Sequence, residues 1–186
     1  VDEETGRVKA AMSNSFTIAR YLDEAYPNTP KLFIGTEEEI KEQKKLCIEL
    51  PRIMLAGMSL VVFRAIHSVL NDASKEYYSS ARARDVWQVY HAERLEDIPF
   101  DDDTKEQMFV AGEKAFGEME KRIFGGEGKG GSWYLGEQMS FVDFDLGGIL
   151  MGIMFALGEE SSEWKRMAGW NEGRWGRFVE GLRAYK

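Results

Sequence analysis

Asparagine and serine stand side by side at positions 14 and 15. They head a segment, Ser13 to Tyr26, in which Phe16, Ala19, Leu22 and Ala25 recur at helical spacing before Pro27 closes it. The first turn of a helix presents unpaired amides and a partial positive charge, so it binds carboxylates. A serine hydroxyl beside those amides, here Ser15, completes a compact carboxylate cradle. The plainer reading of the same pair is helix capping, with Ser13 or Asn14 as the cap.

Other side chains with chemical potential are scattered. His67 falls on an apolar helical face and reads as a hydrogen-bonded core or pocket-rim histidine. Neither His67 nor His91 has a serine or cysteine partner at a revealing spacing, so no nucleophilic triad is supported. Cys47 reads as a small hydrophobe. Two histidines and one cysteine do not make a metal site, and no metal is expected. The glycine run at 125–131 lacks the Gly-Lys-Ser/Thr ending of a phosphate loop and a strand before it, so it reads as a surface loop. Tyr77, Tyr78, Tyr90, Arg82 and Arg84 read as a solvated helix face. Paired carboxylates are plentiful, but they sit at helix starts, where capping accounts for them.

These residues need helices to hold them. Ser140 to Leu157, SFVDFDLGGILMGIMFAL, is too apolar all round for a surface helix and reads as the buried centre of an all-helical domain. Ser140 and Asp143 have capping-box spacing, with Met139 and Phe144 placed to form a hydrophobic staple. Gly147, Gly148 and Gly152 predict close approach of neighbouring helices. Asp143 and Asp145 inside this stretch argue against a membrane span. A capping box at Thr36 and Glu39 opens a long helix towards Asp72, which Pro51 is expected to kink or split. Its face of Ile53, Met54, Met58, Val61, Val62, Ile66 and Val69 reads as core. Further helices are predicted over 74–95, from about Thr104 to Ile123, and in one or two pieces over 161–185. Asp2 to Gly6 reads as a hairpin turn leading into a short strand, Arg7 to Met12.

The formal charge of −8, from 24 basic and 32 acidic residues, and the absence of a basic stripe exclude a nucleic-acid footprint. One cysteine excludes an intrachain disulfide and suits a reducing compartment. With no apolar leader at Val1, a cytoplasmic location is expected.

Two segments then carry a resemblance. SNSFTIARYLDEAYPNTPKLF (13–33) resembles the end of the thioredoxin-like domain of glutathione transferases, which has the form S-x-x-I-A-x-Y-L-D-x-x-Y-P. WYLGEQMSFVDFDL (133–146) resembles that family's second signature, an aromatic-Leu-Gly turn followed by an S-x-x-D capping box. Tyr77-Tyr78 to Trp87 and the WNEGRW segment (170–175) are most similar to the fungal, etherase-related (Fua-type) class.

The resemblance implies a mainly α chain: an all-helical C-terminal domain (37–186) after a linker (28–36). Residues 1–27 would be the last hairpin and helix of a thioredoxin-like α/β domain. It implies glutathione as co-substrate or ligand, held at its γ-glutamyl end by Ser15 and Asn14. It also implies an apolar second-substrate pocket in the helical domain, for which Met54, Met58 and His67 are candidates. The implied activity is conjugation of glutathione to small aromatic or lignin-related compounds, or cleavage of their ethers. The alternative is a non-catalytic, ligandin-type binder of aromatic molecules. A homodimer of the full-length protein is implied as well. Two departures stand out. The family's acidic residue is Asn14 here, which removes the charge-assisted part of that contact. The βαβ unit with the thiol-activating residue does not precede Val1, so the catalytic residue is unknown and the chain alone is expected to be inactive.

Overall fold

A computed structural model describes residues 11–125 and 131–184. It is a set of helices: α1 (Ser15–Ala25), α2 (Glu37–Val69), α3 (Asp72–Asp85), α4 (Trp87–Tyr90), α5 (Asp102–Phe124), α6 (Phe141–Leu157) and α7 (Ser162–Arg183), with a 3-10 turn at Leu95–Asp97. Among the described residues the extended pairing amounts to two isolated bridges, Trp133 with Gly136 and Leu135 with Gln138. The hairpin expected at the N-terminus, most of its strand and the middle of the glycine loop lie outside the described residues.

The caps are where local chemistry placed them. Asn14 caps α1, and Thr36 and Glu39 form the capping box of α2. Asp101 accepts from the Thr104 amide at the head of α5. At α6 the box is buried: Asp143 Oδ2 accepts from the Ser140 amide and hydroxyl, both at 2.8 Å, and Oδ1 accepts from the Tyr134 amide at 2.8 Å. One carboxylate thus fixes both the helix start and the turn before it.

Helix α6 is the centre. It packs on α2 along one side and α7 along another, and α5 closes against α2 and α7. Leu146, Leu150 and Ile153 of α6 are almost fully buried, as are Met58 of α2 and Phe116 of α5. Phe116 meets Trp170 and Trp175 of α7 edge-on, with centroids 5.1 and 5.2 Å apart. A smaller cluster, Leu60, Phe63, Leu95 and Ile98, lies beside α3. Arg64 ties that turn down by donating to the Leu95 and Ile98 carbonyls.

Two breaks differ from expectation, and a third, in α7, divides the last helix into the two pieces allowed for. Helix α2 runs on through Pro51 and leaves helical geometry instead at Met58 (φ −133°, ψ 16°). The cause is tertiary: at Gly57, just before it, the backbone of α5 presses close enough to leave no room for a β-carbon. The helix expected over 74–95 stops at Asp85, and α4 ends at His91, whose φ is +50°. Helix α7 is broken by a left-handed turn over Asn171, Glu172 and Gly173. Asn171 there accepts from the Trp175 indole at 2.8 Å, which holds the turn while Trp175 enters the core.

Gly147 meets the prediction of close approach, since a β-carbon there would lie 2.2 Å from Leu182 Cδ1. Gly148 and Gly152 do not: among the described residues nothing beyond their own helix lies within 4 Å of where theirs would be. Those two glycines leave space.

Candidate functional site

The space above Gly148 and Gly152 is a cavity of about 520 Å³ between α2, α3 and α6. Met54, Leu55, Ile66 and Val69 wall it from α2, and Ile149 and Phe155 from α6. Phe155 is 74% exposed, an unusual position for so large an apolar ring, and marks the cavity's open edge. Two polar side chains reach the wall, Tyr78 and Arg82, spaced i, i+4 on α3. Among the described residues no carboxylate lines it. This volume and apolar character suit a one- or two-ring organic molecule.

The residues singled out in the sequence are only partly brought together. Met54 lines the cavity. Met58 does not: it is fully buried, with its side chain filling the notch at Gly112 of α5. His67 does not line it either. Its Nε2 lies 3.2 Å from Glu96 Oε1, and its ring stands behind Tyr78, 6.3 Å away. Tyr78, Arg82, Gly148 and Gly152 were not legible as a site. The available signal was spacing: two tyrosine/arginine positions four apart on one helix, and two glycines four apart on another.

The α1 terminus is a second place of interest. Asn14 has φ +79°, a conformation that asparagine tolerates better than most residues. Its Oδ1 accepts from the Phe16 amide at 3.0 Å and the Thr17 amide at 3.4 Å. The side chain is therefore engaged in capping. Ser15 is exposed at the first helical position, and its hydroxyl bonds to no described residue. The helix is anchored by an aromatic trio, Phe16, Phe33 and Phe141, and by the Asp23 carboxylate, which accepts from the Leu32 and Phe33 amides. Its Ile18, Tyr21 and Leu22 remain exposed. Neither Asn14 nor Ser15 lines the cavity.

Cys47 is no nucleophile. Burial, then the charge of Asp145 and the hydrogen bond to it, push its thiol up to about 12, so almost no thiolate exists at neutral pH. Burial likewise raises the Asp145 carboxyl, although the thiol bond works the other way. Among the described residues no group of His, Cys, Asp and Glu side chains is arranged to hold a metal ion.

Residues 50–185 match the family model of the glutathione S-transferase C-terminal domain. Among solved structures, the chain is similar to the glutathione S-transferase CsGST63524 of Ceriporiopsis subvermispora, crystallised with glutathione. Identity is 25% over 100% of this chain and 69% of that one, with a TM-score of 0.82. It is also similar to glutathione transferase GSTFuA3 from Phanerochaete chrysosporium, at 28% identity over 96% of this chain and 66% of that one, with a TM-score of 0.77. CsGST83044 of Ceriporiopsis subvermispora, at 22% identity and a TM-score of 0.79, shares the fold. No curated protein matches significantly.

Proposed function

Because the chain belongs to the glutathione S-transferase family, we propose that it is part of an enzyme that joins glutathione to small aromatic electrophiles or cleaves their aryl ethers. The observation that carries this reading is the apolar cavity over Gly148 and Gly152, with Met54 in its wall. It offers an aromatic ring a desolvated surface and little polar competition. We assign residues 1–27 to the glutathione-binding domain, 28–36 to the linker and 37–186 to the helical domain. Homodimerisation of the full-length protein belongs to the same proposal.

In the proposed reaction the glutathione sulfur, as thiolate, attacks the electrophilic carbon. A carbon–sulfur bond forms, a halide or aryloxide leaves, and the thiol proton passes to solvent. Ser15 donates its hydroxyl to the γ-glutamyl carboxylate at the positive end of α1, with Asn14 beside the amino group. Met54 contacts the acceptor ring. Met58 and His67 act from behind, one by filling the core under α5 and the other by backing Tyr78. Cys47, held as a thiol, does not stand in for the activating residue.

A second reading, ligand binding without turnover, has one observation in its favour. Asn14 lacks the charge that would pair with an ammonium group, and its oxygen is already engaged with two amides. The deciding experiment assays the full-length protein with glutathione against a panel of aryl halides and aryl ethers. Product with a glutathione–carbon bond supports the enzyme. Micromolar binding of an unaltered aromatic, independent of glutathione and without turnover, replaces it with the ligand binder. Within that assay Asn14→Asp should tighten glutathione about tenfold by restoring a charge-assisted contact, and Ser15→Ala should weaken it.

A further inference from the structure

The cavity is apolar except at one point, and that point carries a positive charge. Arg82 lies with its guanidinium 5.4 Å from the centroid of Phe63 and 5.5 Å from that of Tyr78, so two rings fix its plane. Its Nη1 is paired with Asp85 Oδ2 at 2.7 Å, at the outer end of α3. Its Nε is shielded from solvent and has no acceptor among the described residues. A buried donor without an acceptor is costly, more so on a charged group, and the cost is recovered when a ligand supplies the acceptor. The neighbouring Tyr78 hydroxyl is a second donor. Burial raises its titration point, Arg82 pulls it down and Asp85 adds to the rise, with burial the largest effect. Tyr78 therefore keeps its proton at neutral pH.

From this juxtaposition of Arg82 and Tyr78 at the wall of an otherwise apolar cavity, we propose that the site selects aromatic acids. The ring lies over Gly148 and Gly152 against Met54, and the carboxylate faces Arg82 and Tyr78. The inference rests on reading the cavity as the site of the aromatic partner and narrows that partner's class. Two features favour an anion over a neutral arene. An arginine fork matches a carboxylate in plane and donor spacing. Among the described residues no acidic side chain lines the cavity, and Asp85 takes only Nη1 of Arg82, at the outer edge, so Nε is left for a ligand. On a chain with a formal charge of −8, bulk electrostatics would not draw an acid here, so the selection is local.

The test uses two probes of the same shape, 3-phenylpropanoate and 3-phenylpropanamide, titrated calorimetrically into the 186-residue chain at pH 7. The acid should bind at least tenfold more tightly than the amide. Arg82→Gln should abolish that preference and Tyr78→Phe should reduce it. Gly152→Leu, which fills the cavity from an unobstructed position, should remove binding of both probes. Equal affinity of acid and amide on the unmodified chain overturns the selection of acids and leaves the cavity reading standing. No binding of either probe, or binding indifferent to Gly152→Leu, overturns both. The comparison of the two probes needs no variant, so it decides the matter even where Arg82→Gln does not fold.

Discussion

Gly57 of α2 faces the peptide between Ala111 and Gly112 of α5, backbone against backbone. A β-carbon at Gly57 would lie 2.8 Å from both the Ala111 carbonyl carbon and the Gly112 amide nitrogen. Backbone cannot step aside as a side chain can. Gly57→Ala is therefore expected to cost about 3 kcal/mol through overpacking. Gly112→Ala should cost less, because its β-carbon would meet side chains rather than backbone, Met58 at 2.5 Å and the Trp170 ring at 3.0 Å. Calorimetric melting checks the order. At about 2–4 °C per kcal/mol for a chain of this size, Gly57→Ala should melt roughly 6–12 °C lower. Equal effects at the two glycines would contradict the crossing described.

Asp143 serves three donors with two oxygens. Asp143→Ala leaves buried amides of Tyr134 and Ser140 without acceptors and should cost about 3 kcal/mol. Asp143→Asn replaces one acceptor with a donor that must face a donor, so it should fall between alanine and the parent. Ser140→Ala removes one bond and should cost about 1 kcal/mol. The urea midpoint of each variant measures this series, and an Asp143→Ala midpoint close to the parent's would refute it.

Much of this scaffold was readable because its instructions are local. A capping box occupies four residues, and the buried face of α5 is written at helical spacing as Phe109, Gly112, Phe116, Met119 and Ile123. What was not readable depends on a partner far away in the chain. The break at Met58 answers to α5, not to Pro51. The roles of Gly148 and Gly152 differ from that of Gly147 because Leu182 of α7 covers Gly147 and no described residue covers the others. Arg82 and Tyr78 look like surface residues until α3 folds back over Phe63. Asn14 and Ser15 were legible as a helix start, since cap chemistry is local, whereas Met54 and Met58 looked alike until one faced the cavity and the other the core.

The Cys47 thiol should be nearly inert. With a titration point of about 12, against about 8.5 for a free cysteine, the thiolate fraction at pH 8 falls by roughly a thousandfold. Reaction with an aromatic disulfide reagent should slow to match, and denaturant should restore it. The sign follows: a raised thiol contributes stability below the unfolded value that is lost as pH rises towards 12. Asp145→Asn removes the charge that helps to raise it and should speed the native reaction several-fold. No change in that variant would remove Asp145 from the explanation.

Glu163 acts in the opposite direction. Its hydrogen bond to Lys105, helped by the Ser162 hydroxyl, lowers its carboxyl to about 2 from an ordinary 4.5. A depressed carboxyl contributes stability above the unfolded value and loses it as pH falls through the folded one. The window is thus pH 4.5 down to 2. The pair is partly solvated, so solvent screening reduces its contribution to about 1 kcal/mol. Glu163→Gln should flatten the acid limb of stability by that amount, measured as urea midpoints between pH 5 and pH 2. An unchanged slope would show that the pair is neutral in effect.

The floor of the cavity over Gly148 and Gly152 is made of missing side chains, so its depth comes in methyl-sized steps. Alanine, then valine, at either position would raise the floor by one increment without touching the face of α6 that packs on Leu182 and the core. For the proposed aromatic ligand, selectivity for size would in this way be uncoupled from folding. Single substitutions at these two positions would then narrow the proposed site from bulky to slender ligands while the helical scaffold stays intact.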